Sequence, residues 1–566
     1  LNATTGEFNT SLGSLSMGSG VTIGDYNTAL GAEAGKALTS GASNVFVGGH
    51  AGDAITSGGR NIAMGYAALS TEDAHGRNTA IGHQALTTQN AGADAYNVAV
   101  GYDAGRNVTT GIQNTLIGGL AGDAITTGGD NVSLGYNSLG SNTIGNENVA
   151  IGKDSMGVNV AADRNVAVGA FALQNMTSAT TVDTYNTAVG YSAGNAMTSG
   201  VNNTIVGGLA GVAMTTAIQN TALGYFALST NIDGDNNTAV GFKALQDFEA
   251  DTDGHGNNTA IGASAMLNAS TGTENTALGT LAMGTGVTTG NSNVAIGYQS
   301  GHALTSGSEN ITIGQGAGDA LTTGNRNVAV GHAALSTEDA HGKNVAIGYL
   351  SLLNLDAGAD GFNTAVGCES GKTMTTGVNN TLIGSLAGDA LTTGSNNVAI
   401  GKEALSTEDA NGTNTAVGHQ SLSTLNAGSD AYNVALGYRS GAVMTTGVQN
   451  TLIGGLAGDA LTTGSKNVAL GYQALTSEDA HGENVAIGHN SLSNLNAGAN
   501  GSNTALGFNS GYSMTTGTKN TIIGGLAGDA LTTGSFNVAL GYGSLSVEDT
   551  GGRNTAVGYE ALKIQD

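Results

Sequence analysis

The sequence predicts an all-β protein folded as a parallel β-solenoid of about 32 coils. The pentad Asn-x-x-x-Gly occurs 32 times between Asn9 and Asn554. Of the 31 intervals between successive asparagines, 23 are 17 residues long, as between Asn27, Asn44 and Asn61. The fourth residue of every pentad is aliphatic or Met. A fixed period of this kind indicates stacked repeats, each of which buries its apolar side against its neighbours.

Composition fits the same fold and gives a domain count. The chain has 94 Gly and no Pro. Gly suits tight corners, whereas Pro would remove a backbone donor from every ladder that it entered. Because the period is unbroken, we expect residues 1–566 to form one elongated domain, about 150 Å long at about 4.8 Å per coil.

The pentad defines the first part of a coil when residues are numbered from its Asn. Positions 2 and 4 lie on one face of a strand and position 3 on the other. Positions 2 and 4 carry Thr, Val, Ile or Leu, so we predict that they pack inside the roll. Position 5 is Gly, where the chain turns, and a second strand should follow, as in residues 51–58 or 68–76.

Two further columns set the volume of the interior. Where position 9 is Gly, position 12 is Leu, Ile or Met in all but one coil, as in Gly52 and Ile55. Where position 9 is Leu, as in Leu69, position 12 is usually polar. Each coil thus supplies about one large aliphatic side chain from this segment, which close packing requires.

Position 3 suggests how chains associate. It is usually Ala, and it is larger at Phe46, Leu116, Ile205, Leu382, Leu452 and Ile522. A long apolar stripe pointing away from the interior is unusual for a soluble monomer. We therefore predict that position 3 forms a subunit interface. The alternative is a second internal layer within a three-sided coil.

A longer repeat overlies the coils. Residues 327–396, 397–466 and 467–536 are near copies of one 70-residue super-repeat, and each copy contains four coils. One coil in each copy is lengthened by a short loop, as at Leu355 to Asp360. All insertions fall between position 9 and the next Asn, so they should bulge from one edge.

These repeats resemble the head repeats of trimeric autotransporter adhesins and the similar repeats of bacteriophage tail-fibre proteins. The pentad Asn-Thr/Val-Ala-Ile-Gly, followed by Ala or Ser and a second Gly, carries the resemblance over nearly the whole chain. It implies a left-handed roll in a homotrimer, outside the cell. The 17-residue coil departs from the shorter adhesin repeat, and the resemblance does not identify a target.

Charge and composition exclude some partners. A net charge of −26 opposes binding to nucleic acid and to anionic membranes. The sequence contains no run of about 18 apolar residues, which is the length that a membrane-spanning helix needs. The single cysteine, Cys368, cannot form an internal disulfide and should point outward. Leu1 in the place of an initiating Met suggests a processed product or a segment of a longer protein.

Acidic pairs are the first candidates for chemistry. Glu72 and Asp73 recur at 338–339, 408–409 and 478–479, and a His stands two residues after Asp in all but one copy. Paired carboxylates could serve a glycosidase, but a catalytic pair seldom recurs in copy after copy of a repeat. Calcium is the cofactor that such oxygen ligands would suit. The simpler interpretation, a solvated acidic edge with no cofactor and no metal, is preferred.

Position 6 forms an aromatic column. Eleven of the 16 tyrosines lie there, among them Tyr66, Tyr102 and Tyr438, and His83 uses the same column. Tyr could stack on sugars. The alternative is a corner ladder that covers the edge of the roll.

These observations favour a structural, adhesive protein and not an enzyme. We predict an extracellular fibre shaft, from a phage tail fibre or a bacterial surface adhesin, that associates with itself and displays a surface for a glycan or protein receptor. One alternative is a self-assembling filament without a receptor. A polysaccharide-degrading, tailspike-like enzyme is a third and weaker alternative.

Overall fold

A computed structural model describes residues 6–18, 21–178, 180–249, 255–547 and 549–563; Leu1 lies outside them. The chain divides into two compact units, residues 1–289 and 290–566. Each unit is a parallel β-solenoid with one three-residue strand per coil, and the described residues contain no helix. The predicted fold class, an all-β solenoid of about 32 coils, is confirmed. No described helix is long and apolar enough to cross a membrane.

The first unit contains strands β1 to β18. In chain order these are Thr10–Leu12, Thr28–Leu30, Val45–Val47, Ile62–Met64, Thr79–Ile81, Val98–Val100, Thr115–Ile117, Val132–Leu134, Val149–Ile151, Ala162–Asp163, Val166–Val168, Val182–Asp183, Thr187–Val189, Thr204–Val206, Thr221–Leu223, Thr238–Val240, Thr259–Ile261 and Thr276–Leu278. The two-residue strands β10 and β12, which lie in two successive coils, pair with each other outside the main ladder.

The second unit contains strands β19 to β34. In chain order these are Val294–Ile296, Ile311–Ile313, Val328–Val330, Val345–Ile347, Thr364–Val366, Thr381–Ile383, Val398–Ile400, Thr415–Val417, Val434–Leu436, Thr451–Ile453, Val468–Leu470, Val485–Ile487, Thr504–Leu506, Thr521–Ile523, Val538–Leu540 and Thr555–Val557.

Within each unit the coils stack without a register shift. Strands β2 and β3 illustrate the pattern, because Ala29 at position 3 pairs with Phe46 at position 3 of the next coil. The 19-residue and 21-residue coils keep the same register, as β22 with β23 and β11 with β13 show. Added residues are therefore absorbed outside the strand, and the columns defined by the pentad are continuous along each unit.

The pentad Asn holds successive coils together. The backbone N–H of Asn44 donates to Oδ1 of Asn27 at 3.0 Å, and Nδ2 of Asn44 donates to the carbonyl of Gly58 at 2.9 Å. One side chain thus links two coils and closes the corner of its own coil. The pentad asparagines thus form a continuous hydrogen-bonded ladder along the coils, and their own backbone is not left-handed. The left-handed conformation falls on position 17, as at Ser43 with φ 63°.

The Gly at position 5 is required by close stacking. Gly31 has φ 141°, and a Cβ there would lie 2.5 Å from the carbonyl oxygen of Gly48 in the next coil. A side chain at this position would therefore collide with backbone that cannot move aside.

The predicted second strand is wrong. Positions 7 and 9 are left-handed, as at Glu33 with φ 59° and Gly35 with φ 57°, so the chain cannot be extended there. Turns occupy this segment instead. They are linked to the next coil by backbone hydrogen bonds such as Thr39 N–H to the Thr56 carbonyl at 2.8 Å.

The predicted direction of position 3 is also wrong. Phe46, Leu116, Leu382 and Leu452 are fully buried within their own chain, so position 3 forms the interior and not a subunit interface. The alternative that placed it in an internal layer was correct. Positions 2 and 4, which we expected inside, point outward.

Packing explains why small residues dominate position 3. A Cβ on Gly388, at position 9, would lie 2.8 Å from Cδ2 of Leu382 and 2.8 Å from Cδ1 of Leu391. Side chains at positions 3, 9 and 12 therefore compete for one narrow interior. The predicted compensation between positions 9 and 12 is confirmed, and position 3 takes part in it.

Candidate interaction surfaces

The outward strand face consists of positions 2 and 4. Position 2 is Thr, Val or Ile in every coil, which suits a strand surface where β-branched side chains pack along the pleat. Position 4 is usually larger, and it is well exposed in many coils, as at Leu436 (46%) and Leu506 (45%). Because the coils are in register, the side chains at position 4 form an apolar column along each unit, and those at position 2 form a parallel column in which Thr is mixed with Val and Ile.

Sequence reasoning missed this face, although the sequence contains its signal. Thr replaces Val freely at position 2, and a site that tolerates a hydroxyl group in this way is typically in contact with water. Moreover, large residues at position 3 always occur in coils with Gly at position 9, as in the pairs Phe46–Gly52 and Leu382–Gly388. Such compensation is expected of side chains that share an interior.

The aromatic column at position 6 forms short stacks. Tyr66, His83 and Tyr102 lie in consecutive coils, with ring centroids 5.5 and 5.2 Å apart and interplanar angles of 22° and 11°. Each ring stacks on the next, while Tyr66 and Tyr102 remain about half exposed at the surface. Small residues such as Gly119 interrupt the stacks. This geometry favours the corner ladder over a row of sugar-stacking platforms.

The acidic pairs do not form a simple solvated edge. The Glu of each pair is fully buried, at positions Glu72, Glu338, Glu408 and Glu478. The Asp that follows is exposed in three of the pairs and half-buried in the fourth. Each Glu stands at position 12, the column that holds Leu, Ile or Met in other coils. Burial raises the pKa of each of these four Glu carboxyls.

Backbone hydrogen bonds hold each buried carboxylate. Oε1 of Glu338 accepts from the backbone N–H of His341 at 3.0 Å, and Oε2 accepts from the N–H of Ala357 in the next coil at 3.2 Å. Glu478 is held in the same way. The Glu and the Asp of a pair are thus held in different surroundings, and their arrangement does not resemble two carboxylates that flank one substrate.

One copy of the acidic segment differs. Asn411 replaces the His, and its Nδ2 donates to Oε1 of Glu408 at 3.1 Å while its backbone N–H donates to the same oxygen at 3.3 Å. In this copy the side-chain amide satisfies the buried carboxylate directly.

Ion pairs line open recesses beside the Asn corner. One recess of about 400 Å³ in the second unit is bordered by Glu309, Arg326, Lys343 and Asp360. Arg326 pairs with Glu309 at 2.7 Å and Lys343 with Asp360 at 2.5 Å. The charges neutralise one another, so the recess offers no strong preference for a ligand of either sign.

Cys368 lies at position 6 and is exposed, as predicted. In comparisons with known proteins, no protein-family model and no curated protein matches the chain.

Proposed function

We propose that the chain is a structural segment of an extracellular fibre, which associates with further copies of itself through the outward strand face and presents an adhesive surface. The two regular outward columns, apolar at position 4 and mixed Thr, Val and Ile at position 2, carry the proposal. The extracellular setting and the arrangement of three copies around an axis rest on the resemblance to adhesin and tail-fibre repeats.

A second copy of the chain is the partner that fits these columns best. The exposed side chains recur once per coil, at about 4.8 Å, over every coil of a unit. Few surfaces present apolar groups at that spacing over such a length. A second copy of the chain does, because it has the same spacing between its coils. Identical chains usually associate with closed symmetry, which would cover the face without open-ended aggregation.

The energy involved requires many coils to associate together. Burying a Leu or Ile completely contributes about 1.5–3 kcal/mol. Covering the two-fifths of Leu470 that is exposed would thus contribute about 1 kcal/mol. Association itself costs on the order of 4–15 kcal/mol, so about 4–15 coils must be covered at once. A long repeated face meets that requirement and a few coils would not.

The adhesive role is tested by binding of the full chain to immobilised bacterial surface polysaccharides and to whole bacterial cells, with its assembly state followed by electron microscopy. We expect elongated particles that bind at least one of these surfaces. A triple variant of the aromatic column, Tyr349→Ala, Tyr438→Ala and Tyr472→Ala, tests whether that column contributes. Elongated particles that bind none of the surfaces would favour the self-assembling filament, and release of soluble sugar would favour the enzyme.

A further inference from the structure

Three of the buried glutamates share a second feature that the fibre does not explain. Glu72, Glu338 and Glu478 each lie beside a His three residues later in the chain. Nδ1 of His341 and of His481 lies 3.5 Å from Oε1 of the neighbouring Glu, and Nδ1 of His75 lies 3.7 Å from it.

These imidazole nitrogens are buried without a partner. Nδ1 of His75, His341 and His481 makes no hydrogen bond, although solvent does not reach it. A separation of 3.5–3.7 Å is too long for a good N–H to O hydrogen bond. Orphaned buried polar atoms are costly, so a group that bonds to the unpaired imidazole nitrogen would stabilise each site.

The separation suits two ligands of one metal ion. Zinc bonds to imidazole nitrogen and carboxylate oxygen at about 2.0–2.2 Å, which in tetrahedral geometry separates the two ligand atoms by about 3.3–3.5 Å. The Asp that follows each Glu completes a three-residue group. In each group, ligand atoms from all three residues lie within 4.8 Å of one another.

We propose that Glu72–Asp73–His75, Glu338–Asp339–His341 and Glu478–Asp479–His481 each bind a divalent transition-metal ion of the zinc type. An imidazole ligand together with carboxylates favours zinc, cobalt or nickel over calcium and magnesium, which take oxygen ligands. Three protein groups leave at least one coordination position for water.

The group at Glu338 is the most complete. Asp356, from the following coil, joins Asp339 and His341 within the same 4.8 Å. Three carboxylates then surround one His, and like charges this close repel unless a cation lies between them. This site should therefore bind the metal most tightly.

The fourth copy of the segment provides an internal comparison. At Glu408 the His is replaced by Asn411, whose amide hydrogen-bonds to the carboxylate. The coil therefore folds with either residue, but only the His leaves an unpaired nitrogen. A different cluster, Glu33–His50–Asp53, is excluded because Lys36 already pairs with Glu33 and His50 hydrogen-bonds to Asp53.

The test is equilibrium dialysis of the full chain, first stripped with a chelator, against zinc in the presence of excess calcium and magnesium, with bound metal measured by elemental analysis. Cobalt substitution provides a visible spectrum as a second measurement. The variant His75→Asn, His341→Asn and His481→Asn converts all three sites to the arrangement at Asn411. The reverse variant, Asn411→His, creates a fourth site.

We expect the triple variant to bind three fewer zinc ions per chain than the natural protein, and Asn411→His to bind one more. The cobalt absorption should fall and rise with these numbers. Equal zinc binding by all three proteins would overturn the proposal, as would displacement of the metal by calcium. If the triple variant fails to fold, the result for Asn411→His decides alone. None of these outcomes depends on whether the protein is a fibre.

Discussion

At the scale of single residues, the pentad Asn is the most constrained side chain. Asn397 is fully buried and serves three partners: its N–H donates to Asn380 Oδ1 at 2.9 Å, its Nδ2 donates to the carbonyl of Asn411 at 3.2 Å, and its Oδ1 accepts from the N–H of Asn414 at 3.0 Å. No other side chain of similar size combines a donor and an acceptor with the same reach.

Replacing Asn397 by Leu should destabilise its coil locally. The N–H of Asn414 and the carbonyl of Asn411 would lose their partners, and each buried unsatisfied group costs about 1–3 kcal/mol. Native-state hydrogen exchange of the neighbouring strands, Val398–Ile400 and Thr415–Val417, measures the loss. Asn354→Leu, at an exposed site, is the control. Unchanged exchange in the Asn397 variant would show that the ladder does not stabilise the stack.

The limits of sequence reasoning also appear at this scale. The period, the Asn ladder and the turn at position 5 follow from local patterns, so they could be predicted. The direction of position 3 could not be read from hydrophobicity alone, because Val and Ile at position 2 are more apolar than Ala29 and yet point outward. Only the volume shared by Leu382 and Gly388 identifies the interior. The unpaired nitrogen of His341 depends on distances that no sequence pattern gives.

At the scale of the coil, two designs fill the same space. One has Gly at position 9 and a large residue at position 12, and the other has Leu at position 9 and usually a polar residue at position 12. Gly388 and Leu405 represent the two designs, and their φ angles, 56° and 53°, are nearly equal. The backbone therefore stays the same while the side chains exchange volume.

This exchange predicts a coupling between positions 3 and 9. Gly388→Leu alone should overpack the coil at a cost of about 1–3 kcal/mol, and Leu382→Ala alone should leave a cavity at a cost of about 2–5 kcal/mol. The double variant should cost less than the sum, with a coupling of about 0.5–3 kcal/mol. Hydrogen exchange of Thr381–Ile383 measures each variant. Strictly additive costs would mean that the two side chains do not share one cavity.

At the scale of the whole molecule, buried carboxylates set the pH dependence. Burial raises the pKa of Asp123, Asp389 and Glu408. Burial thus makes the charged form of these groups less favourable in the folded state than in the unfolded state. As the pH falls through the raised pKa, the folded state binds protons that the unfolded state does not yet bind, so stability rises.

We therefore expect the melting temperature to increase when the pH is lowered from about 7.5 to about 5, measured by circular dichroism with a chelator present. The net charge of −26 acts in the same direction, because protonation reduces self-repulsion. The variant Asp389→Asn removes one of the titrating groups and should flatten the dependence. A melting temperature that falls as the pH is lowered over this range would contradict the conclusion that buried carboxylates with raised pKa set the pH dependence.

Self-association through positions 2 and 4 is the central claim, and sedimentation equilibrium of the full chain tests it most directly. The triple variant Leu436→Lys, Leu470→Lys and Leu506→Lys places charges on the outward strand face. The control Asn354→Lys, Asn426→Lys and Asn496→Lys adds the same charge at exposed residues outside the strands. We expect the natural chain and the control to sediment as oligomers, and the face variant to dissociate while keeping its β-type circular dichroism. Self-association through positions 2 and 4 would be contradicted if the natural chain sedimented as a monomer at all concentrations. It would also be contradicted if the face variant associated as strongly as the control.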